Sequence, residues 1–182
     1  MEDTENITIE TERLFLERTT ITYVEEIFKE FTDEVTKYLR ASTPKNIEEE
    51  KQWIERTKEK YNQWTAMSLV VTDTSGAFIW NCEIMHLDTQ NPELWLRLKQ
   101  SARWKGYGKE MIAALIQRLE NHKRFDYIIY RACTENIGSR KIAESLGGEL
   151  QLDEQGNAKI LIEHKFDNSS SFEAVEYRIY KK

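Results

Sequence analysis

Two glycines, Gly106 and Gly108, are separated by a single residue in the stretch ARWKGYGKEMIAAL. Arg103, Lys105 and Lys109 surround them, and an apolar run with helical spacing follows. A helix N-terminus presents unpaired backbone N–H groups and a partial positive charge, and glycine lets that backbone approach a ligand closely. The stretch therefore predicts a site for an anion such as a phosphate at the start of a helix.

Two familiar phosphate-binding motifs do not fit this stretch. The P-loop requires a lysine followed by Ser or Thr, whereas Lys109 is followed by Glu110. The dinucleotide-binding fingerprint requires a third glycine at the position of Met111. A nucleotide-binding protein of either kind is therefore disfavoured.

The elements on either side of the glycines must position them. Upstream, ELWLRLK alternates leucines with Glu93, Trp95 and Arg97, as a strand with two different faces does. Downstream, MIAALIQRLEN carries an apolar stripe that predicts a helix packed on a sheet. A strand, a glycine turn and a helix in this order form an anion cradle.

The rest of the chain predicts a mixed α+β domain. Strand-like segments are RLFLERTT, the hairpin of TAMSLVVTD and AFIWNCEIMHLD, FDYIIYRAC, and then GELQL, AKILIEHKF and FEAVEYRIY. Helix-like segments are ITYVEEIFKEF, the run that Asn46 and Glu49 open as a capping box, and NIGSRKIAESLGG. Because no linker or repeat divides the 182 residues, residues 1–182 are predicted to form a single domain.

Composition limits the partners. The net charge of −6 and the pI of about 5.3 disfavour nucleic acid. No apolar run could span a bilayer and the N-terminal residues lack a signal-peptide layout, so we expect a cytoplasmic protein without a membrane partner. Cys82 and Cys133 are predicted to be buried thiols, and the three histidines have no metal-ligand spacing, so no metal site is expected.

Residues 103–108 read RWKGYG, and three further segments accompany them in order: TERLFLER, EVTKYLRASTPKNIEEEKQWI and NIGSRKIAESLGG. The first resembles the R/Q-x-x-G-x-G/A signature of the GNAT superfamily of acetyl-CoA-dependent N-acetyltransferases. The others resemble segments of its Rim-type branch, which includes ribosomal-protein N-terminal acetyltransferases. The resemblance extends from about Thr11 to Gly148.

The resemblance implies a twisted, mostly antiparallel sheet of about seven strands, with helices on both faces and a splayed strand pair that holds acyl-CoA. It implies an acetyl-CoA-dependent N-acetyltransferase, in which a primary amine of a protein N-terminus or a small molecule attacks the thioester directly. A non-catalytic acyl-CoA sensor or interaction module on the same fold is the alternative. The amine acceptor is left open, and the chain is expected to be a monomer or a homodimer.

By the same resemblance, backbone N–H groups of residues 106–109 hold the pyrophosphate, while Leu98 and Lys99 offer backbone groups to the pantetheine and thioester. Asn136, which also fits a helix N-cap, orients the cofactor chain. The residues expected to bind the cofactor are Leu98, Lys99, Arg103, Trp104, Lys105, Gly106, Tyr107, Gly108, Lys109, Asn136, Ser139, Arg140 and Lys141.

Three residues are candidates for proton transfer. Glu93 and Glu83, in neighbouring strands, are alternatives for taking the amine proton, and Glu93 is preferred. Glu83 stands among apolar residues, where burial would raise its pKa. A salt bridge is an equal alternative for both. Ser139 is expected to protonate the leaving thiolate, because Glu144 stands where many GNAT enzymes carry a tyrosine.

We expect the acceptor pocket between the first two helices and the strand face that bears Glu93. Tyr38, Arg40 and Trp95 are candidates for its wall. Trp53 and Trp64 are further aromatic candidates for which core packing is favoured.

Overall fold

The computed structural model describes residues 7–122 and 124–181, and within these ranges the chain forms one sheet of nine strands. The order is β1-β2-β3-β4-β5-β6-β9-β7, and β8 also pairs with β9. The strands are β1 (Thr8–Glu10), β2 (Leu14–Arg18), β3 (Ala66–Asp73), β4 (Phe78–Met85), β5 (Glu93–Leu98), β6 (Tyr127–Cys133), β7 (Glu149–Leu150), β8 (Ile160–His164) and β9 (Ser171–Tyr180).

The sheet has nine strands where about seven were expected. The strand-like segments of the sequence all form strands, and β1 is added at one edge. With only three residues, β1 is too short for its alternation to be recognised in the sequence. The mostly antiparallel character is confirmed, because β5 and β6 form the one parallel pair among the described strands.

Helices cover both faces of the sheet. They are α1 (Val24–Glu30), α2 (Asp33–Thr36), α3 (Ile47–Asn62), α4 (Tyr107–His122) and α5 (Ile137–Ser145). On β3, Leu69 and Val71 pack in the core beneath α4, whereas Val70 packs in a separate core with α1 and α3. Successive strand side chains point to opposite faces, so the continuous apolar run of β3 reflects burial on both sides.

The predicted cap of α3 is confirmed. The Asn46 side chain accepts a hydrogen bond from the Glu49 backbone N–H at 3.1 Å. The Glu49 carboxylate in turn accepts from the backbone N–H of Lys45 at 2.9 Å, rather than from that of Asn46. The helix start therefore lies where the sequence indicates, with the reciprocal bond moved by one residue.

The strands β5 and β6 separate soon after they meet. They pair only through Glu93 with Ile129 and Leu94 with Tyr130. On its other side, β5 pairs with β4 as far as Leu98. The last residues of β5 therefore have a strand neighbour on one side only, and a gap opens between β5 and β6.

Three further sequence-based expectations concern cysteines, membranes and metals. Cys82 and Cys133 are free and buried, as predicted. Across residues 7–122 and 124–181, no helix is long and apolar enough to cross a bilayer. Over the same ranges, no group of His, Cys, Asp or Glu side chains is arranged to hold a metal ion.

Candidate active site

A cavity of about 520 Å³ lies where β5 and β6 separate. Its floor includes Leu96 and Leu98 of β5. The start of α4, the start of α5 and the α2 region form its walls. The wall residues are Val35, Tyr38, Leu39, Arg97, Ala102, Arg103, Trp104, Gly106, Tyr107, Gly108, Lys109, Glu135, Asn136, Ile137, Gly138, Ser139, Lys141, Ile142 and Ser145. The cavity therefore joins the glycine motif to the late helix, as the resemblance implies.

The two glycines of the motif have different structural roles. Gly106 has a φ of +83°, a left-handed conformation that other residues adopt at a cost. A Cβ on Gly108 would lie 2.6 Å from Ile142 Cδ1 and 3.2 Å from Leu98 Cδ1. Gly106 thus lets the chain turn into α4, whereas Gly108 lets α5 and β5 approach α4. The expectation that both glycines serve close approach to an anion needs this correction for Gly108.

The first turn of α4 provides unpaired donors. The backbone N–H of Glu110 donates to the Gly106 carbonyl at 3.2 Å, and the N–H groups before it have no partner within the helix. Tyr107, Gly108 and Lys109, at the start of the helix, line the cavity. This arrangement and the helix dipole favour an anion at that point of the wall.

Arg13 supports the glycine turn from the far end of the sequence. Its Nη1 donates to the Lys105 carbonyl at 2.9 Å, and its Nε donates to Glu110 at 2.7 Å. Its guanidinium also lies 4.9 Å from the centre of the Tyr107 ring. Partial burial would raise the pKa of Glu110, but hydrogen bonds from Thr11 and Arg13 hold it below the ordinary value. The sequence analysis missed Arg13, since 92 residues separate it from Lys105.

The expected cationic residues divide into two groups. Arg103, Lys109 and Lys141 line the cavity. Lys105 and Arg140 lie outside its wall. Arg140 donates from Nε to the Tyr177 hydroxyl at 3.2 Å and from Nη1 to the Thr134 carbonyl at 3.3 Å, so it is directed toward β9.

The backbone of Lys99 also differs from the expectation. Its N–H donates to the Ile79 carbonyl at 3.3 Å, so this group is committed to the β4 side of the sheet. Leu98 does line the cavity. Of the two residues expected to offer backbone groups to a pantetheine chain, Leu98 alone is on the wall.

The start of α5 holds Ser139 in place. The Asn136 side chain accepts a hydrogen bond from the Ser139 backbone N–H at 3.1 Å, which confirms the N-cap interpretation. The Ser139 hydroxyl lies 2.9 Å from the hydroxyl of Tyr130 on β6. Asn136 and Ser139 both line the cavity, whereas Tyr130 is buried behind it.

Glu93 lies on the opposite face of β5 from the leucines, as predicted, but outside the cavity wall. It is only 3% exposed, and its Oε1 has no hydrogen-bond partner of ordinary geometry. Arg131 Nη1 is 3.7 Å from its Oε2, and His86 Nε2 is 3.9 Å away. Burial raises the pKa of Glu93 although both cations oppose the shift. Arg131 also contacts Glu176 at 3.1 Å and Glu163 at 3.5 Å.

Glu83 does not lie among apolar side chains, which corrects the sequence-based expectation. Its carboxylate accepts a hydrogen bond from Arg97 Nη1 at 3.0 Å. The Arg97 guanidinium lies between the rings of Phe31 and Trp53, 5.3 and 5.5 Å from their centres. The salt-bridge alternative therefore holds for Glu83.

The residues expected at the acceptor pocket occupy three places. Tyr38 lines the cavity. Trp95 shares the Glu93 face of β5, where its buried Nε1 has no hydrogen bond of ordinary geometry but interacts with the Glu93 carboxylate and opposes the rise in its pKa. Arg40 lies 3.3 Å from Glu163 and stacks on Phe166, outside the cavity wall.

Of the two further tryptophan candidates, Trp53 has the expected core-packing role, whereas Trp64 is exposed. Trp53 packs against the core formed by α1, α3 and β3. Trp64 follows α3 and contacts Tyr61 edge-on, while 41% of its surface stays exposed. Both lie outside the cavity wall.

Comparison with known proteins concerns the family and the fold. Residues 13–149 match the acetyltransferase (GNAT) domain family. A search of curated proteins by sequence found no match.

Solved structures share the fold at low sequence identity. One is the acetyltransferase from Salmonella typhimurium that modifies the N-terminal serine of ribosomal protein L7/L12 (11% identity, TM-score 0.79, covering 97% of this chain and 100% of that one). Another is the microcin C7 self-immunity acetyltransferase MccE with acetyl-CoA and AMP (16%, 0.79, 94% of each chain). A third is spermidine N-acetyltransferase from Vibrio cholerae with CoA and spermine (14%, 0.76, 93% and 96%).

The first prediction concerns the glycine turn. We expect Gly106→Val to weaken CoA binding more than ten-fold, a loss of over ~1.4 kcal/mol, because its side chain disturbs both the turn and the unpaired N–H groups. Gly76→Val is the matched control, since Gly76 has nearly the same φ, +82°, in the β3–β4 turn with open space around it. Both variants carry backbone strain of about 1–3 kcal/mol. Calorimetric titration showing equal CoA affinity for the two variants would contradict the assignment.

The second prediction concerns Glu50, a buried carboxyl group on α3. Burial raises its pKa to about 7, although Arg97 opposes the shift. The protonated Glu50 carboxyl group therefore stabilises the fold fully below its pKa in the unfolded state, about 4.3, and this stabilisation is lost as the pH rises through 7. We expect the free energy of unfolding of Glu50→Gln, relative to that of the parent, to increase by about 2–3 kcal/mol from pH 5 to pH 8. Urea unfolding at both values measures this, with the exposed Glu55→Gln as control. The same difference at both pH values would refute the prediction.

Proposed function

We propose which residues carry out each step of the reaction, from the premise that the chain belongs to the GNAT acetyltransferase family and is an acetyl-CoA-dependent N-acetyltransferase. The gap between β5 and β6, beside the start of α4, is the observation that carries the proposal. There the structure combines unpaired helix N–H groups, free strand backbone and a serine hydroxyl in one cavity. The cavity holds acetyl-CoA, and the acceptor amine enters from the face of β5 that bears Glu93 and Trp95.

The cavity residues fit the chemical groups of the cofactor. The N–H groups at the start of α4 bind the pyrophosphate, with Arg103, Lys109 and Lys141 as the positive side chains on the wall. Leu96 and Leu98 provide an apolar floor for the pantetheine. When bound, acetyl-CoA supplies an activated acetyl group as a thioester. Lys99, Lys105 and Arg140 are left out of this set because they lie outside the cavity wall.

Glu93 takes the proton that the amine loses. Its raised pKa makes its carboxylate a stronger base than an exposed glutamate, and its Oε1 has no hydrogen-bond partner of ordinary geometry. Arg131 and His86 keep the carboxylate in one orientation. Glu83 is committed to Arg97, so it is the weaker candidate for this role. Ser139 directs its hydroxyl to the leaving sulfur.

The acceptor is an amine of a peptide N-terminus or of a small molecule. Two of the solved structures that share the fold act on these two classes, a ribosomal protein and spermidine. Tyr38 and Trp95 contact the acceptor, and Arg40 borders its entrance. We further propose a cytoplasmic monomer or homodimer that does not act on nucleic acid.

The third prediction tests this function. With acetyl-CoA and a panel of peptides, amino acids and polyamines, the parent enzyme is expected to release CoA thiol. Acetyl-CoA at ~100 times its dissociation constant should stabilise the fold by ~2.7 kcal/mol, and NAD or ATP much less. Equal stabilisation by all three would contradict the cofactor site, and absence of turnover with every amine would contradict the proposed reaction.

The fourth prediction assigns the base. Glu93→Gln is expected to lower turnover by about 10²–10⁴-fold, because an amide cannot accept the amine proton, and to leave CoA affinity nearly unchanged. Glu163→Gln is the matched control, since it also removes a carboxylate from Arg131. Steady-state kinetics and calorimetry measure the two effects. If Glu93→Gln and Glu163→Gln have the same turnover, another group is the base.

A further inference from the structure

A buried tyrosine hydroxyl contacts the serine of the cavity wall from behind. Tyr130 lies on β6 at the last residue pair before β5 and β6 separate, and it is only 2% exposed. Its hydroxyl is 2.9 Å from Ser139 Oγ. Tyr130 itself lies outside the cavity wall, so it reaches the cavity only through Ser139.

The surroundings determine which hydroxyl donates. If Ser139 donated to Tyr130, the phenolic proton would be buried without an acceptor, because the described residues offer Tyr130 no other hydrogen-bond partner. A buried unpaired donor costs about 1–3 kcal/mol. If Tyr130 donates instead, the Ser139 proton remains free on the cavity side. Burial also raises the pKa of Tyr130 to about 12, which keeps the phenol protonated.

We propose that Tyr130 is a positioning residue that donates its hydrogen bond to Ser139 Oγ and so turns the Ser139 proton toward the sulfur of acetyl-CoA. This inference rests on the proposed function. The Ser139 backbone is already fixed by Asn136, so the remaining freedom is rotation of the hydroxyl. The Tyr130 hydrogen bond removes that freedom.

The bonds and protons balance without another reactant. A C–N bond forms between the amine and the acetyl carbon, the C–S bond breaks, and its electron pair goes to sulfur. The amine loses one proton to Glu93, which returns it to solvent, and the departing thiolate takes one proton from solvent. A hydrogen bond from the correctly oriented Ser139 hydroxyl stabilises the charge on sulfur while this happens.

Kinetics test the positioning role. Tyr130→Phe is expected to lower kcat about ten-fold or more, with the KM for acetyl-CoA within about two-fold of the parent. In a Ser139→Ala background, the same change should have no further effect, because Tyr130 acts only through Ser139. An unchanged kcat for Tyr130→Phe, or the same loss in both backgrounds, would overturn the proposal.

Tyr177→Phe is the matched control for these variants. The Tyr177 hydroxyl also links a buried strand tyrosine to α5, where it contacts Glu144 at 2.8 Å and Arg140 at 3.2 Å. It contacts α5 through these two residues and not through Ser139. We expect Tyr177→Phe to keep the parent kcat, whereas an equal loss in both variants would mean that anchoring of α5 is the cause and would overturn the positioning role.

A second readout is independent of catalysis. In Ser139→Cys, the introduced thiol can be titrated by its rate of alkylation with iodoacetamide, since Cys82 and Cys133 are buried. A hydrogen bond from Tyr130 favours the thiolate, so adding Tyr130→Phe should raise the pKa of that thiol by about half a unit or more. If the thiol has the same pKa with and without Tyr130→Phe, the positioning role of Tyr130 is overturned while the proposed function stands. A parent enzyme that acetylates no amine overturns the proposed function and the catalytic role with it.

Discussion

The early separation of β5 from β6 is the constraint on which the rest of the structure depends. A continuous parallel ladder would pair the backbone of Leu96 and Leu98 with β6 and would fill the space between the strands. Because pairing ends at Leu94 and Tyr130, the end of β5 forms the floor of a cavity instead. The helices α4 and α5 then complete the wall with their N-terminal turns. The free edge of β5 and the first turns of two helices thus meet at one place.

The glycine turn is stabilised from outside the motif. Two left-handed residues, Trp104 and Gly106, and the unpaired N–H groups that follow them leave the start of α4 poorly determined by local interactions. Arg13 compensates by binding the Lys105 carbonyl and the Glu110 carboxylate at the same time. The first turn of α4 is therefore fixed by a residue that lies far from it in the sequence.

The period of two along β5 separates two kinds of chemistry. Its leucines face α4 and the main core, and they support the floor of the cavity. Glu93, Trp95 and Arg97 face the other way, where Arg131, His86 and Glu83 surround them. A single strand consequently places an apolar surface on one face and titratable groups on the other, and the proposed function depends on this division.

Local patterns in the sequence determined the elements and the place of the proposed anion site. The alternation of β5, the cap at Asn46 and the glycine motif each depend on neighbours a few residues away, so they can be recognised without the fold. Only the tertiary structure decided which side chains meet: Glu83 with Arg97, Ser139 with Tyr130, and Gly108 with Ile142. These contacts join different strands and helices, and their distances follow from strand register and helix packing. Residue types and their spacing in the sequence do not determine strand register or helix packing, because the free energy that sets both comes from burial over the whole core.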